Sequence, residues 1–492
     1  MEEKYIISID QSTQGTKALL FDGSGTLVKR ADKSHRQIVN EKGWVSHDPM
    51  EIYQNVISVA GALTEGIDQA KVVGVGISNQ RETFLAWEKD TGKPLGDAVV
   101  WQCARAAEIC ERVEKSGMGE SIRQKTGLNL SPYFPASKIA WILEHADGAK
   151  EQAGKGNICH GTMDSWVIYQ LTGHKSYKTD YSNASRTQLF NIFDLEWDGE
   201  ICAAFGIDPQ NLAEVCDSDS DFGETDFEGL LPHPVPIHGV LGDSHGSLFG
   251  QGCLHPGMIK ATYGTGSSIM MNIGKQPVLS THGVVTSLAW KIGGKVDYVL
   301  EGNLNYTGAV ITWLKDSLKL IQSPGETEAL AREALKEDSL YLVPAFTGLG
   351  APYWDSHAAA AILGMTRTTG KAELVRAAVE CIAYQIAEVV EAMSEDAGIK
   401  VDELRVDGGP TKNAYLMQFQ SDIAAAIVQI PDAEELSGIG PAYAAGIALG
   451  LWDESIFAKL KRVKYEPSME EGLREQKCRG WKEAVWKVLA KG

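Results

Sequence analysis

Two segments of this chain share one pattern, in which two apolar runs flank a short turn rich in glycine and hydroxyl residues. The first segment is IISIDQSTQGTKALLF (6–21), and the second, about 250 residues later, is MIKATYGTGSSIMMNIG (258–274). Short apolar runs with β-branched residues predict buried strands, and the glycines predict tight connections between them. Chance recurrence of ordinary turn residues would produce the same pattern. If it is not chance, the recurrence predicts two related domains that face each other.

Three glycine-rich turns could bind phosphate: DQSTQGT (10–16), TYGTG (262–266) and VDGGPTKN (406–413). Glycine lets backbone N–H groups approach phosphate oxygens without a Cβ in the way, and threonine hydroxyls add donors. One such turn is more often only a turn, but three indicate a nucleotide held between two domains. The chain has no G-x-x-x-x-G-K-[ST] motif, so a P-loop site is not predicted.

The segments around these turns alternate between strand-like and helix-like patterns, which predicts an α/β fold. Residues 49–66 and 371–397 predict helices, and Gly398 ends the second one. The segment GIGPAYAAGIALG (438–450) has some glycines of a dinucleotide-binding fingerprint but lacks the third. We interpret it as a helix whose small residues pack closely on a neighbour.

Composition narrows the possible partners. The chain has 492 residues, 43% hydrophobic residues and a net charge of −19, which is typical of a globular protein of several domains. The acidic balance argues against nucleic acid, because phosphate backbones require clustered Lys and Arg. No signal peptide and no apolar stretch of about 18 residues is found, so no membrane association is predicted. Eight scattered cysteines without a C-x-x-C pair favour reduced thiols and a cytoplasmic location.

Charged and aromatic residues at the ends of apolar runs are candidates for binding a small polyhydroxy compound. Arg81 offers paired donors and Glu82 accepts from hydroxyls, while Trp101 and Tyr133 offer flat apolar walls. Taken singly, the charged pair is better explained by a surface ion pair and each aromatic by core packing.

Asp243 lies in GDSHGSLFGQG (242–252), another carboxylate among small residues. It could accept a proton from a hydroxyl nucleophile, or it could cap a helix that begins near Ser244. His245 beside it suggests a hydrolytic triad, but neighbours in a chain seldom face each other and no G-x-S-x-G motif is present. Hydrolysis is therefore not favoured.

Longer motifs show that the chain resembles the FGGY carbohydrate kinases, and within them the glycerol kinases most. YFPASKIAWILEH (133–145) fits the first family pattern, with Lys138 and Trp141 at the expected spacing, and AAILGMTRTTGKAELVRAAVE (360–380) fits the second. Shorter stretches agree in wording and order, among them GWVSHDPMEIY, ISNQRET, VVWQCAR, TDYSNASRT, VPAFTGLGAPYWD, LRVDGG and LMQFQSDI. The similarity runs from about residue 4 to residue 490.

The resemblance implies two actin-like, ribonuclease-H-like ATPase domains that close over ATP and Mg²⁺ in the cleft between them. Residues 1–252 would bind the polyol or sugar and phosphate, and residues 253–492 would bind the nucleotide. The implied reaction is transfer of the γ-phosphoryl group to a primary hydroxyl. Relatives of this kind often form homodimers or homotetramers.

The resemblance also assigns individual residues. Asp243 would be the catalytic base, Asp10 would lie beside the transferring phosphoryl group, and both carboxylates would be metal ligands. The acceptor would be held by Arg81, Glu82, Trp101, Tyr133, Asp243, Ser244 and Ser268. The nucleotide would be held by Thr13, Gln14, Lys17, Gly264, Thr265, Gly266, Gly308, Thr312, Gly408, Gly409 and Asn413.

Departures from the glycerol kinase pattern fall in the acceptor pocket. Ser244 stands where a Gln usually follows the base, and Ser268 stands where a Phe usually walls the carbon skeleton. A wider pocket follows, because an aromatic side chain fills about 150–250 Å² of contact. Either the enzyme keeps glycerol, with water in the gap, or it takes a tetritol, pentitol or ketose. Lys17 for Arg and Thr312 for Gln are smaller departures, near the nucleotide.

A different class of function also fits the fold. Actin-like proteins include switches that hydrolyse ATP and transfer nothing to a small acceptor. The candidate polyol residues argue against this alternative, because a switch has no need of them. Dependence of ADP release on an added polyol discriminates between the two.

Overall fold

The computed structural model describes residues 4–335 and 339–489. In the first half of the chain the strands are β1 (Tyr5–Gln11), β2 (Gly15–Asp22), β3 (Leu27–Ser34), β4 (Ile38–Val39), β5 (Val45–His47), β6 (Val72–Asn79), β7 (Phe84–Glu88), β8 (Ala98–Val99), β9 (Ile158–Thr162), β10 (Lys178–Asp180), β11 (Phe190–Asn191), β12 (Glu196–Trp197), β13 (Glu214–Cys216), β14 (Glu224–Thr225) and β15 (Val235–Gly242). The helices there are α1 (Pro49–Thr64), α2 (Ala107–Lys115), α3 (Gly119–Thr126), α4 (Pro135–His145), α5 (Ala149–Gly154), α6 (Met163–Leu171), α7 (Tyr181–Ala184), α8 (Gly199–Ala204) and α9 (Asp243–Gly250).

In the second half the strands are β16 (Ile259–Tyr263), β17 (Ser267–Gly274), β18 (Val285–Ile292), β19 (Lys295–Leu304), β20 (Tyr341–Val343), β21 (Ala361–Leu363), β22 (Glu403–Gly408), β23 (Ile427–Pro431) and β24 (Arg462–Tyr465). The helices there are α10 (Gly308–Asp316), α11 (Glu326–Glu333), α12 (Lys371–Ala397), α13 (Ala414–Ala424), α14 (Leu436–Ala448) and α15 (Glu471–Val488). Short 3₁₀ helices lie at Gln69–Lys71, Pro209–Asn211, Gly409–Lys412 and Glu454–Lys459.

The two large sheets repeat one topology. The first has the order β14-β15-β6-β1-β2-β3, and the second contains β19-β17-β16-β22-β23 with β18 and β24 added at its edges. Each sheet contains three antiparallel strands in a row, which are β1, β2 and β3 in the first sheet and β16, β17 and β19 in the second. On the other side of β1 or β16, two more strands pair in parallel: β6 and β15 in the first sheet, and β22 and β23 in the second. The recurrence of the hairpin pattern is therefore a repeat of whole domains, as the sequence predicted.

A third sheet, β4-β5-β8-β7-β9, extends from the first domain. Its apolar core includes Phe84, Val99 and Ile139, so α4 packs on this sheet. Two candidate acceptor residues lie next to these sheets: Arg81 follows β6 of the first sheet, and Trp101 follows β8 of the third.

Helix α14 belongs to the second half of the chain but packs on the first sheet. Its residues Ile439 and Tyr443 share an apolar cluster with Leu19 and Leu241 of the first sheet. The helix approaches α9 so closely that a Cβ at Gly440 would lie 1.9 Å from the carbonyl oxygen of Gly246. The close-packing interpretation of GIGPAYAAGIALG is confirmed.

Helix α12 runs over 27 residues and ends at Gly398, whose φ of 65° is in the left-handed region. Both the length and the glycine end agree with the prediction. Among the helices described, none combines the length and apolarity that crossing a bilayer requires. The division at residue 252 stays a prediction.

Candidate functional site

Arg81 connects the two domains. It follows β6, and its Nη1 and Nη2 donate to the two carboxylate oxygens of Glu301 on β19 at 2.8 and 2.7 Å. Its Nε lies 3.3 Å from Asp243 Oδ1, an ion pair without hydrogen-bond geometry. The Nε–H is buried and finds no hydrogen-bond partner in the described part of the chain. Arg81 thus keeps one donor free beside Asp243.

A second arginine completes a buried network of four charges. Arg186 Nε donates to Glu82 Oε1 at 2.6 Å, and its Nη1 lies 2.9 Å from Glu301 Oε2. Although burial opposes ionisation, the guanidinium groups of Arg186 and Arg81 hold the pKa of Glu301 well below its usual range. Two arginines and two glutamates balance in charge, so the network fixes these side chains without a net buried charge.

Sequence reasoning did not single out Glu301 or Arg186 as site residues. Glu301 interrupts an apolar run, VDYVLEGNL (296–304), and a carboxylate at an inward strand position is a signal that could have found it. Arg186 lies in TDYSNASRT, where nothing local marks it as buried.

Glu82 has a φ of 59°, in the left-handed region that residues other than glycine seldom adopt. The turn is closed by the Thr83 amide, which donates to the Arg81 carbonyl at 2.7 Å. Such a conformation costs about 1–3 kcal/mol and persists where surrounding contacts hold it. Here the contact is the ion pair with Arg186.

Asp10 ends up buried at the carboxyl edge of β1. Ser78 Oγ, directly opposite on β6, donates to Asp10 Oδ1 at 2.8 Å. Burial raises the pKa of Asp10 from 3.8 to about 6, and the negative charge of Asp243 raises it further against the opposing effects of Ser78 and Lys17. Asp243 follows β15, which pairs with the other side of β6, so the two carboxylates share one edge of the sheet.

Asp243 itself is the first residue of α9, and Gly242 is the N-cap. The helix therefore begins one residue earlier than the sequence indicated. Asp243 Oδ1 accepts from the Ser244 amide at 2.6 Å, and its side chain is 32% exposed. The carboxylate therefore remains partly accessible to solvent while the helix start orients it.

Two aromatic rings form one wall of the cleft. The rings of Trp101 and Tyr133 have centroids 5.5 Å apart, and the indole Nε1 of Trp101 donates to Thr13 Oγ1 at 3.0 Å. Lys138 lies behind this wall, fully buried, and its Nζ donates to the carbonyls of Pro132 and Tyr133. Burial lowers the pKa of Lys138 to about 7.

Ser244 and Ser268 are both half-buried. Ser268 lies on β17 opposite Thr262, and Lys260 Nζ donates to its Oγ at 3.4 Å. The structure thus puts Ser268 on the face of the second sheet that carries Glu301, the partner of Arg81.

A cavity of about 520 Å³ opens in the second domain between α10, α11, α12 and the 3₁₀ turn after β22. Its walls include six of the residues expected at the nucleotide: Gly264, Thr265, Gly308, Thr312, Gly409 and Asn413. Apolar surfaces from Ile311, Val379 and Leu416 complete the walls. The size and mixed lining suit a nucleoside.

The other expected nucleotide residues lie outside this cavity. Thr13, Gln14 and Lys17 belong to the β1–β2 hairpin of the first domain. Lys17 Nζ donates to Glu435 Oε2 at 2.7 Å, so its charge is already paired.

Gly266 and Gly408 border the second hairpin, where the backbone is too close for side chains. A Cβ at Gly408, whose φ is 102°, would lie 2.0 Å from the Tyr263 carbonyl oxygen. A Cβ at Gly266 would lie 2.2 Å from that of Leu304. Glycine is required at both positions by space, and at Gly408 also by conformation.

The carboxylates of Asp10 and Asp243 suit Mg²⁺ and do not suit a metal ion whose ligands all come from the protein. In the described residues, no group of three or more His, Cys, Asp or Glu side chains could hold a metal ion. Mg²⁺ usually keeps several waters and takes one or two carboxylates together with substrate phosphates. Asp10 and Asp243 offer such a pair, and the repulsion between them favours a cation there.

Comparison with known proteins shows which family this chain is similar to. The models of the N-terminal and C-terminal domains of the FGGY family of carbohydrate kinases match residues 5–250 and 259–449. Glycerol kinase of Bacillus licheniformis is 46% identical over 488 residues, 98% of each chain. Glycerol kinase 1 of Thermotoga maritima is 48% identical over 490 residues, 99% of each chain.

Solved structures agree in fold. Plasmodium falciparum glycerol kinase with ADP superposes with a TM-score of 0.93 at 34% identity, covering 99% of both chains. Gluconate kinase from Lactobacillus acidophilus superposes with a TM-score of 0.87 at 23% identity, covering 99% of this chain and 97% of that chain. The second likeness concerns the fold alone.

Proposed function

Because this chain belongs to the FGGY family of carbohydrate kinases, we propose that it transfers the γ-phosphoryl group of ATP to a primary hydroxyl of a small polyol of the glycerol type. The observation that carries the proposal is the free Nε–H of Arg81 beside the exposed carboxylate of Asp243. A donor and an acceptor side by side, at an edge shared with Asp10, suit a hydroxyl that must be held and deprotonated.

The reaction follows from this placement. The acceptor hydroxyl lies between Arg81 and Asp243, with the wall formed by Trp101 and Tyr133 against its carbon chain. Its oxygen attacks the γ-phosphorus as the bond to the β–γ bridging oxygen breaks, Asp243 takes the hydroxyl proton, and ADP leaves. Positioning of the two reactants supplies most of the rate enhancement in such transfers. When bound near Asp10 and Asp243, Mg²⁺ supplies charge neutralisation at the phosphate oxygens.

The nucleotide takes the 520 Å³ cavity of the second domain, with the glycine hairpin around Gly264 directed at its phosphates. Closure of the two domains excludes water, which otherwise competes as the phosphoryl acceptor. The proposal includes a cytoplasmic location, supported by the eight free cysteines. It also includes a homodimer or homotetramer, which we expect from the family resemblance alone.

A longer acceptor is the second candidate function. Ser244 and Ser268 are small and half-buried at the cleft, which favours space for a tetritol, pentitol or ketose. An ATP switch without an acceptor has less support, because the Arg81–Glu301 network and the aromatic wall would then have no small molecule to bind.

The test is Asp243→Asn, assayed for ADP release with ATP, Mg²⁺ and a panel of polyols. Loss of a well-placed general base typically lowers turnover by about 10²- to 10⁴-fold. We expect that loss in acceptor-dependent turnover, with ATP binding by calorimetry unchanged. Asp90→Asn is the matched control, because Asp90 is an exposed carboxylate outside the candidate site. Full turnover in Asp243→Asn, or ADP release that no polyol stimulates, would refute the proposal.

A further inference from the structure

Lys260 is a buried ammonium whose partners are hydroxyls. It is 1% exposed on β16, and its Nζ lies 3.2 Å from Thr262 Oγ1 and 3.4 Å from Ser268 Oγ. Within the described ranges no carboxylate approaches to within ion-pair distance of it. Burial lowers its pKa, against the opposing field of Asp407. Buried lysines normally have a carboxylate partner, so hydroxyl partners alone call for an explanation.

The direction of these hydrogen bonds is fixed by chemistry. An ammonium group can only donate, so both hydroxyl oxygens must accept from Lys260. The Thr262 hydroxyl passes its own hydrogen on to Asp407 Oδ2 at 3.2 Å. That oxygen also accepts from Gln251 Nε2 at 3.1 Å. One branch of the network therefore ends on a protein carboxylate.

The other branch has no such end. Ser268 Oγ accepts from Lys260, but no acceptor for its own hydrogen exists among residues 4–335 and 339–489. Hydrogen bonds polarise one another along a chain, so donation from an ammonium makes the Ser268 hydroxyl a stronger donor. Ser268 is half-buried, so solvent or a ligand can reach this donor.

Neighbouring residues connect this donor to the acceptor site. Ser268 lies directly opposite Asn303 on β19. Asn303 Nδ2 donates to Glu301 Oε1 at 3.1 Å, and Glu301 holds Arg81. Directly opposed side chains in a ladder are about 4.5–5.5 Å apart at Cβ, so Ser268 and Asn303 form one polar patch beside the Arg81–Glu301 pair.

We propose that Ser268, donated to by Lys260 and flanked by Asn303, forms a subsite for an acceptor oxygen beyond the third carbon, so that the preferred acceptor is a linear polyol of four or more carbons. This inference rests on the proposed kinase function. A three-carbon polyol uses its hydroxyls at Arg81 and Asp243 and leaves the Ser268 donor to water. A tetritol supplies one more oxygen, which accepts from Ser268.

The test compares kcat/KM for glycerol, erythritol and threitol in the full chain with ATP and Mg²⁺. We expect at least one tetritol to exceed glycerol. Ser268→Ala should lower kcat/KM for that tetritol by about tenfold or more, a clearly larger loss than the loss for glycerol, because only the tetritol has an oxygen that accepts from this hydroxyl. Ser268→Phe should reverse the preference toward glycerol.

Two further variants separate the subsite from general damage. Lys260→Met should reproduce the selective loss on the tetritol, because the Ser268 hydroxyl loses its donor. Ser267→Ala is the matched control, because that hydroxyl donates to Thr307 Oγ1 at 2.9 Å, in a buried position. It should leave the ratio of the two acceptors unchanged.

The outcomes distinguish the two proposals. Equal losses on glycerol and tetritol in Ser268→Ala would assign the hydroxyl to the transferring phosphoryl group and overturn the subsite. Phosphorylation of glycerol with no measurable tetritol turnover would also overturn the subsite and leave the kinase function standing. No phosphorylation of any polyol would overturn the kinase function itself.

Discussion

Trp101 and Thr13 join the wall of the acceptor site to the first phosphate hairpin, because the indole Nε1 donates to the threonine Oγ1 at 3.0 Å. Trp101 follows β8 of the third sheet, whereas Thr13 lies in the turn between β1 and β2. The bond is therefore a direct link between residues expected to contact two different substrates. We therefore expect binding at the two positions to be coupled through this hydrogen bond.

Thr13→Val and Trp101→Phe test this link. Thr13→Val keeps the shape of the side chain and Trp101→Phe keeps an aromatic ring, and each removes one hydrogen-bond partner. Each should therefore raise KM for the polyol, by about fivefold if the bond contributes about 1 kcal/mol. The double variant should be little worse than either single variant, because the same bond is lost. Steady-state kinetics for both substrates measure the cycle, and fully additive effects would contradict the link.

Glu301→Gln should destabilise the protein strongly. The substitution leaves two buried guanidinium groups with Glu82 as their one buried carboxylate, since Asp243 is partly exposed. Breaking a buried pair typically costs about 3–5 kcal/mol. Thermal unfolding followed by circular dichroism measures the effect. Glu144→Gln, which breaks an exposed pair with Arg112, should cost no more than about 1 kcal/mol. Similar unfolding temperatures for the two variants would disprove the structural role assigned to Glu301.

Glu388 on α12 predicts a pH dependence of stability. Burial raises its pKa from 4.5 to about 7, although Tyr353 donates to its carboxylate at 2.6 Å. The folded state therefore binds more protons than the unfolded state between pH 4.5 and 7, so this residue's contribution to stability falls as pH rises through that window. Glu388→Gln should be more stable than the parent at pH 8, by about 1–3 kcal/mol, and no more stable at pH 4.5.

The measurement is the unfolding midpoint of parent and variant across this pH range. Glu391→Gln, which is exposed and paired with Lys482, changes a neighbouring carboxylate without the burial. Its difference from the parent should not vary with pH in the same way. A Glu388→Gln curve parallel to that of the parent would rule out the predicted titration.

Lys138→Met should loosen the Tyr133 side of the acceptor wall. The substitution leaves the carbonyls of Pro132 and Tyr133 without their donor, which costs about 1–3 kcal/mol for buried groups. We expect KM for the polyol to rise by about tenfold while KM for ATP stays unchanged. Ser137→Ala, on the same buried helix start, is the control, because its hydroxyl donates to the Phe134 carbonyl at 3.4 Å, a long hydrogen bond. An unchanged KM for the polyol would show that Lys138 has only a packing role.

Local patterns in the sequence predicted the hairpins and the long helix. The β1–β2 and β16–β17 hairpins depend on apolar runs and glycines within a few residues, and α12 depends on periodicity and Gly398. The resemblance assigns Arg81 and Asp243 to one site, each through its own motif, and in the structure the two side chains lie 3.3 Å apart. These features could be predicted because each is encoded within one element or one motif.

Interactions across the chain could not be predicted in the same way. Glu301 accepts from Arg81 across 220 residues of sequence. Which residue pairs with Glu301 depends on how the two domains pack together. Lys138 and Lys260 are buried against the usual preference of lysine, because local carbonyls or hydroxyls replace water. No periodicity in the sequence marks such exceptions.

The spacing between α9 and α14 has a consequence for engineering. Replacing glycine by alanine inside a helix usually adds stability, by reducing the freedom of the unfolded chain. At Gly440 the added methyl group would meet the Gly246 backbone and push on the helix whose first residue is Asp243. Such a substitution would then displace Asp243, the proposed base, so thermostabilisation programmes should leave this pair of glycines untouched.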